Sequence, residues 1–496
     1  MTDRCEDRAA RPERLQYRRR RDEFGEERSY GSECGLERVA GYFVTKFVSE
    51  QVGSICGVMR TCRARTRFDS RQRHQNSGFK LSSRPTIWQG SARRIPRQRR
   101  QIESRGKPMT ETMTAITSQS DSAAAGLELG TAVRERFNGA APDAVVVFAS
   151  AQHDYSTLLE ALAAGCGTQV IVGSSSAGEF TNSSRGEGFV SLLALRSTTM
   201  KFAVGVGRRL SEDPAKSAAA VLTTFQGLDG GRMPYRAALV MSDALAGHTD
   251  AVVEHLTVAS GGNYSFFGGG AGDDGRFHKT HVFAGTEALS DAVVALEMLS
   301  MHPIGVGVAH GWVPTRSGFR VTEADGLRLI GLNGAPAVAA FEDHAKATGQ
   351  TFDLADPLPF FLHNVLGIKG GNDYRLRVPL GVNPDGSIAC AAAVPTGSIV
   401  YIMETDKAAA VLAAERATRV ALEALGGRRP AAALVFDCVA TRLRLGQSFD
   451  DELKACAALL EPAGFVGCNT YGQIARAEGQ FGGFHNCTAV VCVLPE

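Results

Sequence analysis

The chain has no run of about 18 uncharged apolar residues, the length at which a segment becomes a candidate for a membrane-spanning helix. Its best candidate, residues 39–59, carries Lys46 and Glu50 near the middle. Neither Met1 nor Met109 is followed by the apolar segment of a signal peptide. We therefore expect a cytoplasmic protein without a membrane segment.

Motifs of common enzyme classes are also missing. The chain contains no GxxxxGK[ST] phosphate loop, no GxSxG nucleophile elbow, no HExxH zinc motif and no protein-kinase signature. It also contains no CxxC pair, which removes the usual redox and zinc-ribbon patterns. These absences favour a protein that is not an enzyme.

The overall composition is that of a globular protein. Hydrophobic residues make up 44% of the chain and charged residues 21%, which excludes collagen-like, coiled-coil and wholly disordered classes. A single hydrophobic core rarely organises as many as 496 residues. Two or more domains are therefore expected.

Positive charge is concentrated at the front of the chain. Of the 54 basic residues, 26 lie in residues 1–108 with 13 acidic ones, so 28 basic and 39 acidic residues remain for 109–496. A change of that size marks a compositional boundary. We interpret residues 1–110 as a disordered Arg-rich extension, which a start codon assigned too far upstream would also explain. An arm that binds nucleic acid is the disfavoured alternative, and the acidic residues argue against an organellar transit peptide.

Cysteine usage agrees with a reducing compartment. Seven cysteines follow residue 108, an odd number for a disulfide framework, and all lie in apolar or small-residue surroundings. We expect reduced, mostly buried thiols at Cys166, Cys390, Cys438, Cys456, Cys468, Cys487 and Cys492.

One order of elements recurs three times: an apolar strand, a helix, a strand that enters a loop of small residues, and another apolar strand. The first strands are predicted at 144–150, 237–241 and 432–436, the helices at 155–164, 249–259 and 450–460, and the loops at 174–179, 268–273 and 468–473. Thr249 is the expected N-cap of the second helix. The pattern predicts an α/β fold of mixed α+β character, in which duplicated strand–helix–strand–Gly-loop–strand units form mixed β-sheets flanked by helices.

The three loops suggest a binding function. Glycine allows other atoms to approach the backbone closely, and consecutive amides in such loops can form a concavity for an anion. The residue after each loop glycine is Glu179, Asp273 or Gln473, and each could complement an ammonium or hydroxyl group. Together these features predict a pocket for a small zwitterion. The alternative is a tight turn that needs glycine for its conformation alone.

The stretch 300–425 has a different pattern. It predicts a hairpin over 319–334, a second hairpin that joins 374–378 to 388–393, and helices over 336–347 and 408–425. Arg375 and Arg377 share one face of their strand, where they could meet an acidic ligand.

Two further pairs of residues could take part in catalysis or metal binding. Cys438 and His485 could form a nucleophilic pair, although no third group orients the histidine. His278 and His281 could ligate a metal, but a three-residue spacing in an extended segment places the rings on opposite faces. Surface histidines are the preferred interpretation.

Four segments together resemble the FIST N and FIST C domains, a pair of intracellular sensory domains. They are VIVGSSSAGEF at 170–180, LNGAPAVAAFEDH at 332–344, ALVFDCVATRLRLG at 433–446, and GFVGCNTYGQIAR at 464–476 followed by FHNCTAVV at 484–491. Gln473 stands where the family usually has Glu, and Cys487 where Gln is frequent. The resemblance implies a FIST N-like domain over 125–318 and a FIST C-like domain over 319–496.

The resemblance also implies a sensor for a small, amino-acid-like ligand that signals to a partner in trans, such as a histidine kinase or a cyclase. Some family members bind haem and sense nitric oxide, and the candidate axial ligands here are His310, His485, Cys438 and Tyr471. A Cys438-dependent hydrolase is the enzymatic alternative; otherwise no cofactor is expected. The predicted ligand-binding residues are Ser175, Ser176, Gly178, Glu179, Gly270, Gly272, Asp273, Arg377, Cys438, Arg442, Thr470, Tyr471, Gly472, His485 and Asn486.

Overall fold

The computed structural model describes residues 109–371, 373–476 and 483–496. The predicted disordered extension therefore lies outside the described residues, apart from its last two positions. The helices are α1 (Ser122–Arg136), α2 (Tyr155–Cys166), α3 (Pro214–Leu222), α4 (Thr249–Ala259), α5 (Ala337–Thr348), α6 (Leu358–Phe361), α7 (Lys407–Ala424), α8 (Val439–Leu445) and α9 (Phe449–Leu460). Within the described ranges, no helix combines the length and apolarity that a membrane crossing requires.

Three six-stranded sheets form the body of the protein. In spatial order, the first holds β1 (Thr110–Thr117), β6 (Val190–Ser197), β2 (Ala144–Ala149), β3 (Ile171–Ser175), β10 (Val282–Ala284) and β11 (Glu287–Leu289). The second holds β7 (Met200–Arg208), β12 (Ala292–Ser300), β8 (Tyr235–Ser242), β9 (Ser265–Gly270), β24 (Gln473–Arg476) and β25 (Gly483–His485). The third holds β13 (Gly305–Ala309), β26 (Ala489–Pro495), β22 (Pro430–Cys438), β23 (Gly464–Thr470), β4 (Glu179–Thr181) and β5 (Arg185–Gly186).

The predicted threefold repeat is present in the sheets. In each one, a parallel pair (β2 with β3, β8 with β9, β22 with β23) lies beside an antiparallel strand (β6, β12 or β26). Parallel pairing requires a crossover, and the crossover contains α2, α4 or α9. The fold class predicted from the sequence, mixed α/β sheets flanked by helices, is therefore confirmed.

Each repeat also contributes a hairpin to the sheet of another repeat. The hairpin β10–β11 of the second repeat extends the first sheet at β3, and β24–β25 of the third repeat extends the second sheet at β9. The hairpin β4–β5 of the first repeat extends the third sheet at β23. The exchange is cyclic, so every sheet is completed by strands from another part of the chain.

The inner faces of the three sheets meet in one central core. Side chains such as Val146, Leu239 and Leu434 come from the middle strand of each sheet and are fully buried there. The outer faces are covered by helix pairs: α1 and α2 on the first sheet, α3 and α4 on the second, α7 and α9 on the third. Burial on both faces explains why the middle strands are continuous apolar runs.

A close approach between α7 and β13 depends on glycine. A Cβ at Gly307 would lie 1.9 Å from the carbonyl oxygen of Ala417 in α7, which no side chain could tolerate. The helix therefore packs directly on the strand backbone. Its end at Ala424 precedes Gly426-Gly427, as the sequence predicts.

The predicted N-cap of α4 was wrong. His248 holds that position with a left-handed φ of 60°, and its side chain forms no cap hydrogen bond. Thr249 is the first helical residue instead, and its hydroxyl is 2.9 Å from that of Ser242. The threonine side chain therefore ties the helix to the end of β8.

A fourth sheet is inserted between β13 and β22. In spatial order it contains β18 (Asp373–Arg377), β17 (Val365–Gly370), β21 (Ile399–Glu404), β14 (Val313–Asp325), β15 (Arg328–Leu332), β20 (Ile388–Cys390) and β19 (Pro379–Val382), with β16 (Ala335–Pro336) paired to β15. The first predicted hairpin is confirmed as β14–β15. The second predicted hairpin was wrong in its strand pairing. Its first strand, β18, pairs with the preceding strand β17, and its second strand, β20, pairs with β19; neither β17 nor β19 was predicted as a strand.

Candidate functional site

The three glycine-rich loops converge at the centre of the ring of sheets. They are joined by backbone hydrogen bonds: Gly272 N to Ser175 O at 3.0 Å, Ala177 N to Asn469 O at 2.9 Å, Asn469 N to Gly178 O at 2.8 Å, Gly270 N to Gly472 O at 2.9 Å and Tyr471 N to Gly270 O at 2.9 Å. The loops therefore meet, as the repeat implies. These amides, however, donate to carbonyls of the neighbouring loops and do not face an open concavity.

The first loop surrounds a buried carboxyl group. Oε1 of Glu179 accepts a hydrogen bond from the Ser176 hydroxyl, and Oε2 accepts one from the Phe189 amide at 3.2 Å. Burial raises the pKa of Glu179 to about 8, and the two hydrogen bonds oppose this rise only in part. A carboxyl in this setting is mostly protonated at neutral pH, so it is poorly suited to complement an ammonium group.

The other predicted residues near the first loop have structural partners. The Ser175 hydroxyl donates to the His281 carbonyl at 3.2 Å and accepts from the His281 amide at 2.9 Å. Gly178 has a positive φ of 125° and lies against the side chain of Arg442. Arg442 itself pairs with Glu187 through its Nη1 atom. The structure thus brings together Gly178 and Arg442, two of the predicted site residues.

Asp273 in the second loop organises a turn and a contact with the third loop. Its carboxylate accepts the amides of Phe277, His278 and Lys279 at 2.6–2.9 Å. It also accepts the hydroxyl of Tyr471. The rings of Phe277 and Tyr471 stack with centroids 4.1 Å apart and an interplanar angle of 9°. Besides their backbone hydrogen bonds, the second and third loops are therefore joined by one carboxylate and one ring stack.

The third loop is shaped by Gly472 and Thr470. Gly472 has a φ of 99°, and a Cβ there would lie 2.2 Å from the ring of Phe484, so only glycine fits. Thr470 donates its hydroxyl to the Asp437 carbonyl at 3.2 Å and accepts from the Gln473 amide group at 2.9 Å. Thr470 therefore fixes the loop to the end of β22.

Arg377 lies under the third loop rather than in an open face. Its guanidinium donates to the carbonyls of Ala393, Leu376 and Phe484 at 2.9–3.0 Å. Burial lowers the pKa of Arg377 to about 10. Burial, together with the neighbouring arginines, also lowers the pKa of His485 to about 3. The Arg377 side chain therefore links the end of β18 to β25 and to the segment that follows β20.

A cavity of about 70 Å³ opens beside the third loop, and we name it the Cys438 pocket. One water needs about 10–15 Å³, so the space suits about five water-sized groups. Its lining is mostly apolar and consists of Ala244, Leu245, Phe277, Leu358, Leu362, Val378, Leu380, Ala391, Cys438, Val439, Ala440, Leu443, Tyr471, Gly472 and Asn486. None of these described residues carries a carboxylate, a basic group or an imidazole.

Four of the predicted site residues line this pocket: Cys438, Tyr471, Gly472 and Asn486. The other eleven lie elsewhere around the loop junction. The sequence analysis missed the apolar wall from the inserted segment, including Leu358, Leu362 and Leu380. A signal was available in Leu358-Pro-Phe-Phe-Leu362, an apolar run just after Pro357 that is too short to form a core helix by itself.

Cys438 supplies the thiol group of the pocket lining. Hydrogen bonds from the Cys487 thiol, from the amides of Cys487 and Ala440, and from the Gln473 side chain act on its sulfur. They outweigh burial and lower the pKa of Cys438 to about 6. The thiolate is therefore the main form at neutral pH.

A second, smaller cavity of about 10 Å³ is lined by Cys487 and not by Cys438. Cys487, Asp437, Glu452 and His310 are among its lining residues. Burial raises the pKa of Asp437 to about 7, and burial also raises that of the neighbouring Glu452 well above its usual value. The Cys438 pocket is therefore mostly apolar, whereas the lining of the smaller cavity carries the charged or titratable side chains of Asp437, Glu452, His310 and Arg444.

The four candidate haem ligands do not converge on one space. Cys438 and Tyr471 line the Cys438 pocket, but the Tyr471 hydroxyl donates to Asp273. His310 lies at the smaller cavity, 3.1 Å from Asp373, and His485 lines neither cavity. A space for about five water-sized groups does not hold a porphyrin. The residues present do not fit this cofactor.

Comparison with known proteins gives one structural match and two family matches. A solved structure, that of a cyanuric acid hydrolase from A. caulinodans, matches 78% of this chain and 99% of its own, with 9% identity and a TM-score of 0.28. No curated protein matches the chain in sequence. Family models match residues 143–335 as a FIST N domain and residues 345–476 as a FIST C domain. The predicted boundaries 125–318 and 319–496 stay a prediction. The chain therefore belongs to the family of FIST N and FIST C proteins, whose domains are sensory domains of signal transduction.

Proposed function

We propose that this protein is a cytoplasmic, non-enzymatic sensor that binds a compact ligand in the Cys438 pocket. It passes the signal to a separate partner protein, such as a histidine kinase or a cyclase. The family supplies the sensory role, and the pocket supplies a place for the ligand.

The position of the pocket carries this proposal. Its wall combines Leu245 and Phe277 of the FIST N segment with Leu358 of α6 and Tyr471 of the third repeat. A ligand in this position contacts both domains at once. Binding can therefore shift an equilibrium between two arrangements of the domains, provided the ligand interacts differently with each.

The lining also defines the chemistry of the ligand. Apolar side chains dominate the wall, the Cys438 thiolate supplies negative charge, and the Asn486 side chain is polar. This combination favours a compact apolar molecule with a cationic or hydrogen-bond-donating group. An amino-acid-like ligand meets the requirement if its ammonium group faces Cys438 and its carboxylate lies at the pocket opening.

A thermal-shift screen of small amines and apolar amino acids tests the proposal. A ligand present at about 100 times its Kd stabilises the folded state by about 2.7 kcal/mol. The variant Ala440→Leu adds three carbon atoms inside the pocket and is expected to abolish the shift. Ala408→Leu, an exposed position in α7, is the matched control and should keep it. If no compound of this class stabilises the wild type, the pocket is not the sensory site.

A Cys438-dependent hydrolase is the second candidate, and the lowered pKa of Cys438 favours it. Against it, the described residues lining the pocket include no histidine that could act as a base. Hydrolysis of small thioesters by the wild type, lost in Cys438→Ser, would support the enzyme. Ligand-induced stabilisation that persists in Cys438→Ser, without turnover by the wild type, would support the sensor.

A further inference from the structure

Cys438 and Cys487 form a pair of facing thiols that the proposed ligand binding does not require. Both side chains are almost completely buried, at 3% and 5% exposure, and pack in the same cluster. The Cys487 thiol is the largest influence on the pKa of Cys438, and neither residue is in a disulfide. Gln473 joins their two segments, because its side chain donates to Thr470, the strand partner of Cys438, and accepts the amide of Thr488, which follows Cys487. The two cysteines are therefore neighbours in the folded chain.

The backbone holds Cys487 in an uncommon conformation. Its φ is 50°, in the left-handed region that a residue with a Cβ rarely adopts. Its neighbours are firmly held, because the following residue, Thr488, donates its amide to Gln473 at 3.2 Å. The surrounding structure thus holds the Cys487 thiol in a fixed position facing Cys438.

The two cysteines differ in how easily a small molecule can reach them. Cys438 lines the pocket that has room for about five water-sized groups, whereas Cys487 lines the smaller cavity. A molecule little larger than water can reach the Cys438 sulfur from the pocket. Cys487 does not line this pocket and remains available as the second thiol.

We propose that Cys438 and Cys487 are a peroxide-responsive modification site, in which hydrogen peroxide converts the two thiols into a disulfide. In the first step the Cys438 thiolate attacks one oxygen of the peroxide and the O–O bond breaks. With one proton taken up, this gives a sulfenic acid on Cys438 and one water. In the second step the Cys487 sulfur attacks the Cys438 sulfur, the S–OH bond breaks, and the Cys487 proton leaves with the hydroxide as a second water. The two sulfurs together lose two electrons to the peroxide.

Bond formation removes the thiolate from the pocket wall. It also links the start of α8 covalently to the segment between β25 and β26. Oxidation therefore changes both the charge and the shape of the pocket. This property does not depend on the binding of the proposed ligand.

The other buried cysteines supply an internal comparison. Burial raises the pKa of Cys456 to about 12 and raises the pKa of Cys492 well above its usual value. Neither residue lines the Cys438 pocket. Both should remain reduced under conditions that oxidise Cys438.

The test treats the full reduced chain with hydrogen peroxide and maps its cysteines by mass spectrometry without reduction. The expected product is a cross-linked peptide pair, two hydrogens lighter than its dithiol form, that joins Cys438 to Cys487 and disappears on addition of dithiothreitol. Cys438 should react at least about ten times faster than Cys492, because the thiolate is the reactive form. Sulfinic acid on Cys438 with Cys487 still reduced, or no reaction at Cys438, would overturn the proposal.

Two variants refine the result. In Cys487→Ser the sulfenic acid has no resolving thiol, so Cys438 should be trapped by dimedone. Cys492→Ser changes a cysteine of β26, the strand that follows Cys487, and should form the disulfide like the wild type. Dimedone trapping equal in the wild type and in Cys487→Ser would show that Cys487 does not resolve the sulfenic acid, and would contradict the pairing. If Cys487→Ser does not fold, the presence or absence of the cross-link in the wild type tests the proposal by itself.

Discussion

Replacing Glu179 by glutamine should change how the stability of the protein depends on pH. In the folded state the carboxyl has a pKa of about 8, mainly because it is buried, against about 4.5 in the unfolded chain. A raised pKa means that the folded state holds its proton more tightly. The stabilisation is complete below about pH 4.5 and is lost as the pH rises to about 8.

The size of the effect follows from the shift. One pKa unit corresponds to about 1.4 kcal/mol, so a shift of about 3.5 units corresponds to a loss on the order of 5 kcal/mol. The glutamine side chain mimics the protonated carboxyl, because its Nε2 can donate to the Ser176 hydroxyl and its Oε1 can accept the Phe189 amide. The Glu179→Gln variant should therefore keep the stability that the wild type loses at alkaline pH.

Urea unfolding between about pH 5 and pH 9 measures this difference. Other buried acids, including Asp437, contribute to the pH profile of both proteins, so the comparison is wild type minus Glu179→Gln at each pH. Glu254→Gln, an exposed position in α4, is the control and should keep the wild-type slope. Parallel curves for wild type and Glu179→Gln would refute the argument that burial controls this carboxyl.

Three further predictions concern other parts of the structure. Tyr264→Phe removes a hydroxyl that donates to the buried Glu297 at 2.5 Å and should lower the free energy of unfolding by about 1–3 kcal/mol in urea titrations; no loss would contradict the bond. Gly307→Ala forces a methyl group against the α7 backbone and should lower the melting temperature, at a cost of about 1–3 kcal/mol or more; wild-type stability would show that the helix can move away. The rate of Cys438 alkylation should have its midpoint near pH 6, and Cys487→Ala should raise that midpoint because the largest stabiliser of the thiolate is lost; a midpoint above about pH 8 in the wild type would disprove the lowered pKa.

The sequence was most informative where burial imposes a pattern. Apolar runs such as 144–150 and 432–436 predict strands that are buried on both faces, and the structure has β2 and β22 there. The repeated order also predicts that the glycine loops are equivalent, and they do meet. These features depend on local composition and on one periodicity, both of which can be read along a single chain.

The site was predicted only in part, because its wall comes from distant segments. Four of the predicted residues, Cys438, Tyr471, Gly472 and Asn486, line the pocket, while Leu380 of β19 comes from the inserted segment, and its sequence gives no local sign of its location. The hydrogen-bond acceptors of the loop amides could not be predicted either. Whether an amide faces a ligand or the carbonyl of another loop depends on long-range packing, which a local motif does not contain.

The cyclic exchange of hairpins has a consequence for how the chain can be assembled. The strand β23 is paired with β4, which precedes it by almost three hundred residues, and β9 is paired with β24 from the last repeat. During synthesis, therefore, the second and third sheets cannot be completed until the third repeat has emerged, whereas the first sheet needs only the second repeat. A change at any one junction should therefore affect the other two sheets, as the proposed sensor would require.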